Sequence, residues 1–322
     1  MIAAFLPLLA VALSVVDSVN AHGYVQDVTV GGKQYPGWLP FEDPYKTPQP
    51  DTVVRHVPSD GPIFSVQDPG LACNTGGEKG TKAIADAPAG GPITFHWNQW
   101  LADHLGPVST YMASCNGDCT SFNTANAKWF KIDAAGYDSG KKQWASQQLI
   151  NNGNKWTSTI PASLADGQYL VRHEVIALHS AGAPQFYPSC TQVKVTGGGN
   201  AKAPAAELVS IPGIYDGVQF PNIWLDSFNS FTIPGPALFA GGSGSGNGNN
   251  NSQAPPPPPP VNNAGSAPPA NTPATATPAP SATSSSVAPS ATDSSSGRCR
   301  HNARRSDRML KRHVAFHKRH HH

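Results

Sequence analysis

The residue with the least ordinary chemistry in this chain of 322 residues is a histidine standing directly after an apolar leader. In Ala21-His22-Gly23-Tyr24-Val25, a cut after Ala21 would leave His22 with a free α-amine beside its imidazole. Amine and ring Nδ1 together close a chelate on one metal ion, and a third nitrogen would complete a planar set. Copper suits such a set, because it prefers tetragonal nitrogen coordination and stands high in the divalent affinity series. The third nitrogen has five candidates: His56, His96, His104, His173 and His179. A lone histidine in a β-rich domain is more often packed than metal-bound, so position has to choose. His104 stands out, because Trp97-Asn98-Gln99-Trp100-Leu101-Ala102-Asp103-His104-Leu105-Gly106-Pro107-Val108 reads as a loop just ahead of a strand. Loops placed by a rigid sheet are where sites are usually built.

The site depends on what precedes it. Met1 to Ala21 is an apolar run with one late Asp17, and Val19 and Ala21 stand where signal peptidase requires small side chains. The run is nearer the ~7–15 residues of a signal core than the ~20 of a spanning helix. Residues 1–21 are therefore expected to be a secretory signal, with a secreted, extracellular product and no membrane partner. Secretion also turns cysteines into disulfide partners rather than reactive thiols. Of the five cysteines, Cys73, Cys115, Cys119 and Cys190 fall in the globular part and Cys299 in the tail. Cys115 and Cys119 are close enough to staple one loop, which would leave Cys73 and Cys190 for a long-range tie, although three pairings are open. Net charge is +2. The positive excess sits after Gly297, and from His22 to Ala240 acidic residues outnumber basic ones, so the globular part is no nucleic-acid binder by charge.

The elements that must hold these residues are strands. Alternating apolar runs separated by turn signals predict strands at Tyr24 to Val30, Ile93 to Trp97, Val108 to Ala113, Lys128 to Asp133, Trp156 to Ile160, Gln168 to Leu178 and Phe186 to Val195. A long Pro/Gly-rich loop, Tyr35 to Asp68, separates the first two. No amphipathic helix of conventional length is apparent, and the pattern predicts an all-β chain, an antiparallel β-sandwich. The domain is expected to span 22–239. A Gly/Ser/Pro/Thr-rich linker should follow at 240–297, with polyproline at Pro255 to Pro260 and one glycosylation sequon at Asn250-Asn251-Ser252. A basic disordered tail is expected at 298–322; it lacks the aromatic face and the disulfides of a small cellulose-binding module.

Several blocks in this order resemble one family. They are HGYV from His22, His104-Leu105-Gly106-Pro107-Val108 followed by Tyr111-Met112-Ala113, and Tyr169-Leu170-Val171-Arg172-His173-Glu174-Val175-Ile176-Ala177-Leu178-His179. Pro184-Gln185-Phe186-Tyr187-Pro188-Ser189-Cys190 and the closing Phe231-Thr232-Ile233-Pro234-Gly235-Pro236 complete the set. From His22 to Phe239 the chain is similar to the fungal auxiliary activity family nine lytic polysaccharide monooxygenases. The resemblance implies an immunoglobulin-like β-sandwich with one copper ion in a brace of His22 and His104, and Tyr187 as a distant axial ligand. It also implies that His173 and Gln185 handle oxygen species, and that the disulfides pair Cys73 with Cys190 and Cys115 with Cys119. Gln185 and Tyr187 are two apart, which independently puts them on one face of a strand. Arg172 and Glu174 point the other way and read as a structural ion pair, and His96 and His179 read as structural.

The implied reaction is hydroxylation at C1 or C4 of a β-1,4-glucan such as cellulose, by a monomer using oxygen or hydrogen peroxide and an external electron donor. Flat sugar faces call for flat side chains, and Tyr24, Tyr215, Trp224 and Phe231 are the substrate-binding expectations. Phe231 stands where the family usually has tyrosine. A hydrolase would need two carboxylates across a cleft, and Asp27, Asp103, Glu174 and Asp226 form no recognisable pair. A non-catalytic secreted carbohydrate- or copper-binding module would use the same sandwich without turnover.

Overall fold

The computed structural model describes residues 22–241. The expected leader, the linker beyond its first two residues, the basic tail with Cys299 and the Asn250 sequon lie outside the described residues. Nine of the eleven strands among the described residues build the two sheets of the sandwich. β1 (Val25–Val30), β2 (Lys33–Pro36), β4 (Pro92–Trp97) and β9 (Lys155–Thr159) form a four-stranded sheet in the order β2-β1-β4-β9. β3 (Ala85–Pro88), β5 (Val108–Ser114), β6 (Phe130–Ala135), β10 (Gly167–Ala177) and β11 (Gln185–Thr196) form the other, in the order β3-β11-β10-β5-β6. All pairings are antiparallel except β3 with β11. A short hairpin, β7 (Tyr137–Asp138) with β8 (Gln143–Trp144), leads into the helix α1 (Ala145–Asn151). Among the described residues no helix is long and apolar enough to cross a membrane.

The strand alternation sorts the interior into two cores. Val28, Phe95, Trp97, Val108, Met112, Val171, Val175 and Val193 fill the space between the sheets. The opposite parity of the five-stranded sheet, with Tyr111, Leu170, Ile176 and Phe186, packs under the loops that cross its outer face. The long loop after β2 is pinned there by single bridges, Val54 to Thr191 and Ile63 to Phe186. The buried Arg55 guanidinium holds the neighbouring loops by donating to the Gln192 amide oxygen and to the carbonyls of Gly77, Cys119 and Phe122. Cys73 pairs with Cys190 and Cys115 with Cys119.

On this outer face Arg172 and Glu174 form a fully buried bidentate ion pair. The Tyr215 hydroxyl donates to Glu174 at 2.6 Å and accepts from Arg172 at 3.0 Å. Tyr215 is 1% exposed, so the expectation that it stacks on substrate is corrected: its ring is inside the loop core, closing the polar satisfaction of a buried carboxylate.

Candidate metal centre

Two stretches of chain bring His22 and His104 together. Residues 22–24 enter β1 alongside the Trp97–Trp100 turn. The Asn98 side chain accepts from the Tyr24 amide at 2.8 Å, the Asn98 amide donates to the Tyr24 carbonyl at 3.1 Å, and the Gln99 side chain donates to the His22 carbonyl at 2.7 Å. Gly23 is required here, because a Cβ at that position would overlap the Gln99 carbonyl. His104 ends a tight turn in which its amide donates to Leu101 O and its carbonyl accepts from the Trp100 indole at 3.0 Å. Gly106 then passes so close to the Ile176 carbonyl that no side chain fits, and Leu178 N donates to Leu105 O at 2.7 Å. The turn is thereby fastened to the end of β10.

The two imidazoles lie with centroids 5.4 Å apart and planes 79° from parallel. Tyr187, on β11, completes the group at 6.0 Å from the His22 ring and 6.5 Å from the His104 ring. Its hydroxyl donates to the Gln185 side-chain oxygen at 2.7 Å, as two residues on one strand face allow. Burial pushes the Tyr187 phenol far above its ordinary value, so it stays protonated. Trp100 packs edge-on against Tyr187 at 4.8 Å and against His104 at 5.9 Å.

The donors fit a metal ion. His104 Nδ1 is 2.8 Å from an Asp103 carboxylate oxygen, while its Nε2 is buried with no hydrogen-bond partner. A buried nitrogen left without a partner is costly, and a metal ligand is one way to satisfy it. A metal–nitrogen bond of about 2 Å sets a ring centroid about 3 Å from the ion, so two rings sharing one ion have centroids within about 6 Å. The rings of His22 and His104 meet that limit. Two imidazoles and a protonated phenol give two strong donors, and among the described residues no group of three or more His, Cys, Asp or Glu side chains is arranged to hold a metal ion.

The structure corrects the role expected of His173. On β10 it shares parity with Val171, Val175 and Ala177, which line the intersheet core, and its ring is 0% exposed and stacked on Phe95 at 4.1 Å. Both ring nitrogens are engaged. Nε2 accepts from the Trp97 indole at 3.1 Å, and Nδ1 lies 3.3 Å from Thr110 Oγ1. Burial first, and the Arg172 charge second, push its pKa down to about 3, so it is a neutral core residue away from solvent. The histidine beside the site is His179, two residues past the end of β10. Its ring lies 4.1 Å from that of His104, and its Nδ1 is buried without a partner. Burial and the neighbouring His104 lower its pKa.

The other histidines are used elsewhere, His56 stacked on Trp38 and His96 beside Asp27 and Thr29. Of the expected stacking residues, Trp224 is 58% exposed and its indole donates to the His179 carbonyl at 2.7 Å, which places it at the rim of the centre. Tyr24 is half-buried next to Phe41, a residue that is 52% exposed and that no local motif marks. Phe231 is half-buried against Phe220 and Trp144.

With this geometry in place, the profile of Auxiliary Activity family 9, formerly GH61, matches residues 22–232. The chain belongs to this family. It is 46% identical over 261 residues to an AA9 family lytic polysaccharide monooxygenase A of Gloeophyllum trabeum, covering 74% of this chain and 79% of that one. It is 44% identical over 239 residues to the corresponding monooxygenase B of the same fungus, covering 69% and 93%. A solved structure of a cellulose-active polysaccharide monooxygenase from M. thermophila superposes with a TM-score of 0.60 at 38% identity, covering 68% of this chain and 99% of that one. Family membership makes this AA9 chain a monooxygenase that cleaves polysaccharide oxidatively, and the immunoglobulin-like sandwich expected of it is the one the strands form.

Proposed function

We propose that this AA9 chain, cut before His22 and secreted, holds one copper ion between the amine and ring of His22 and the ring of His104. In this reading it cleaves the β-1,4-glucan chains of cellulose by hydroxylation at C1, C4 or both. Oxygen or hydrogen peroxide is the co-substrate and an external reductant supplies electrons. The observation that carries the reading is the buried, unpartnered Nε2 of His104 in a ring whose centroid lies 5.4 Å from that of His22, within the reach of one ion. Copper, when bound, supplies the one-electron redox chemistry that polypeptide groups lack.

The chain's own residues supply the rest. Asn98 and Gln99 grip residues 22–24 so that the amine, otherwise the loosest atom of the chain, is aimed. The Tyr187 hydroxyl donates a hydrogen bond to Gln185 and stays protonated, so a neutral phenol rather than a phenolate would stand beside a bound ion. The proton-handling partner of Gln185 is His179 rather than His173, because only His179 adjoins the brace and has a ring nitrogen to spare. The exposed rings of Trp224 and Phe41, the latter beside Tyr24, offer apolar faces on which sugar rings can rest. The cellulose assignment is supported by the cellulose-active neighbour of similar fold.

The test is to incubate the processed protein with swollen cellulose, copper and ascorbate and to analyse the soluble sugars. Aldonic acids or C4-oxidised oligosaccharides that require ascorbate are expected. Sugars released without reductant would mean hydrolysis, and retention on cellulose without products would mean a binding module.

A further inference from the structure

Resting on that brace, we propose that Asp103 is a positioning residue for the copper ligand His104, an outer carboxylate that fixes its tautomer and raises its donor strength. The carboxylate Oδ1 lies 2.8 Å from His104 Nδ1, on the ring nitrogen opposite the unpartnered Nε2. An acceptor-only group at that distance requires the proton on Nδ1, which leaves the lone pair on Nε2. Neutral imidazole in water exchanges between its two tautomers, whereas this one is held in the form that can bind a metal. The negative charge also polarises the N–H bond toward imidazolate, making Nε2 a better donor to an oxidised ion than to a reduced one.

The backbone supports this use. Asp103 O accepts from Leu105 N at 2.8 Å, and the His104 carbonyl accepts the Trp100 indole, so both ends of the pair are fixed by the turn that carries them. The two side chains differ sharply in exposure: that of His104 is 9% exposed and that of Asp103 is 70% exposed. Water therefore competes for the carboxylate but not for the ring. The interaction should sit at the weak end of the 10- to 100-fold range seen when outer partners of metal ligands are removed.

The experiment uses the full processed chain with Asp103→Ala, Asp103→Asn and His104→Ala. Cupric affinity is measured by competition with a calibrated chelator, together with the cupric electron paramagnetic resonance spectrum and the reduction potential. Asp103→Ala is expected to bind about 10-fold more weakly, with altered copper hyperfine splitting. The potential should rise by about 59 mV if cuprous affinity is unchanged, since that is one decade for a one-electron couple. Asp103→Asn should fall between, because its amide oxygen can still accept without the charge. Affinity, spectrum and potential of both Asp103 variants within twofold of the parent, with binding lost in His104→Ala, would overturn the role of Asp103 and leave the brace standing. Undiminished binding in His104→Ala would overturn the brace and this inference with it.

Discussion

Replacing His173 by glutamine should remove a pH dependence of stability that the parent protein carries. The imidazole is held near a pKa of about 3 in the folded chain, against 6.5 in the unfolded one. Below pH 6.5 the unfolded chain therefore takes up a proton that the folded chain refuses. Because the group's folded value is depressed, its full stability is present above 6.5 and is lost as pH falls toward about 3. Over that window one proton is worth roughly 1.4 kcal/mol per pH unit, so going from pH 6.5 to 4.5 should cost the parent roughly 3 kcal/mol more than the variant. Glutamine keeps an acceptor for the Trp97 indole and does not titrate. Asp133, whose pKa burial raises, lies along the same buried path through Ser158 and Thr110; it is common to both proteins and cancels in the comparison. Urea unfolding followed by tryptophan fluorescence, with chelator present and disulfides intact, gives the two curves. Parallel curves between pH 7 and 4.5 would refute the assignment of His173 as a buried neutral residue.

Four further outcomes are expected. Retaining Ala21 ahead of His22 should leave the melting temperature of the metal-free protein unchanged while weakening copper binding by more than the roughly 100-fold that an outer partner can cost, read by calorimetry. Tyr215→Phe leaves the buried Glu174 without its 2.6 Å donor and should cost about 1–3 kcal/mol in denaturant unfolding, with binding to cellulose unaffected. Trp224→Ala should reduce retention on cellulose by about fivefold, the equivalent of about 1 kcal/mol of ring stacking, with stability changed by less than about 0.5 kcal/mol. Opening the Cys73–Cys190 link, which spans 117 residues, by paired serine substitution should cost about 4 kcal/mol in the same unfolding measurement, whereas the Cys115–Cys119 link, spanning 4, should cost much less.

The nearness of His22 and His104 was legible because both stand at sequence landmarks, the end of an apolar leader for His22 and a Gly-Pro turn for His104. The seven expected strands all occur, with ends displaced by one or two residues. β2, β3 and the β7–β8 hairpin were not legible, since edges of two to four residues carry too little alternation, and the seven-residue α1 is too short to show a helical period. Choosing between His173 and His179 required knowing where β10 stops. A signal for it was present: Val171, His173, Val175 and Ala177 share one parity, and three apolar neighbours mark that face as core. Tyr215 was misplaced for a different reason. Nothing local distinguishes a stacking tyrosine from one that closes a buried ion pair built from Arg172 and Glu174, more than 40 residues earlier.

The grip of Asn98 and Gln99 on residues 22–24 bears on survival as well as on chemistry. An aminopeptidase works on an extended terminus that it can draw into its own cleft. In a chain cut before His22, as proposed, the first peptide carbonyl would already be taken by Gln99 and the next α-carbon would lie against the Gln99 main chain. Pulling the end free would mean giving up those contacts, so the clamp that aims the terminal nitrogen also shields it from trimming. Under the proposed cut before His22, the loop that would aim the terminal residue would thus also keep that residue from being trimmed.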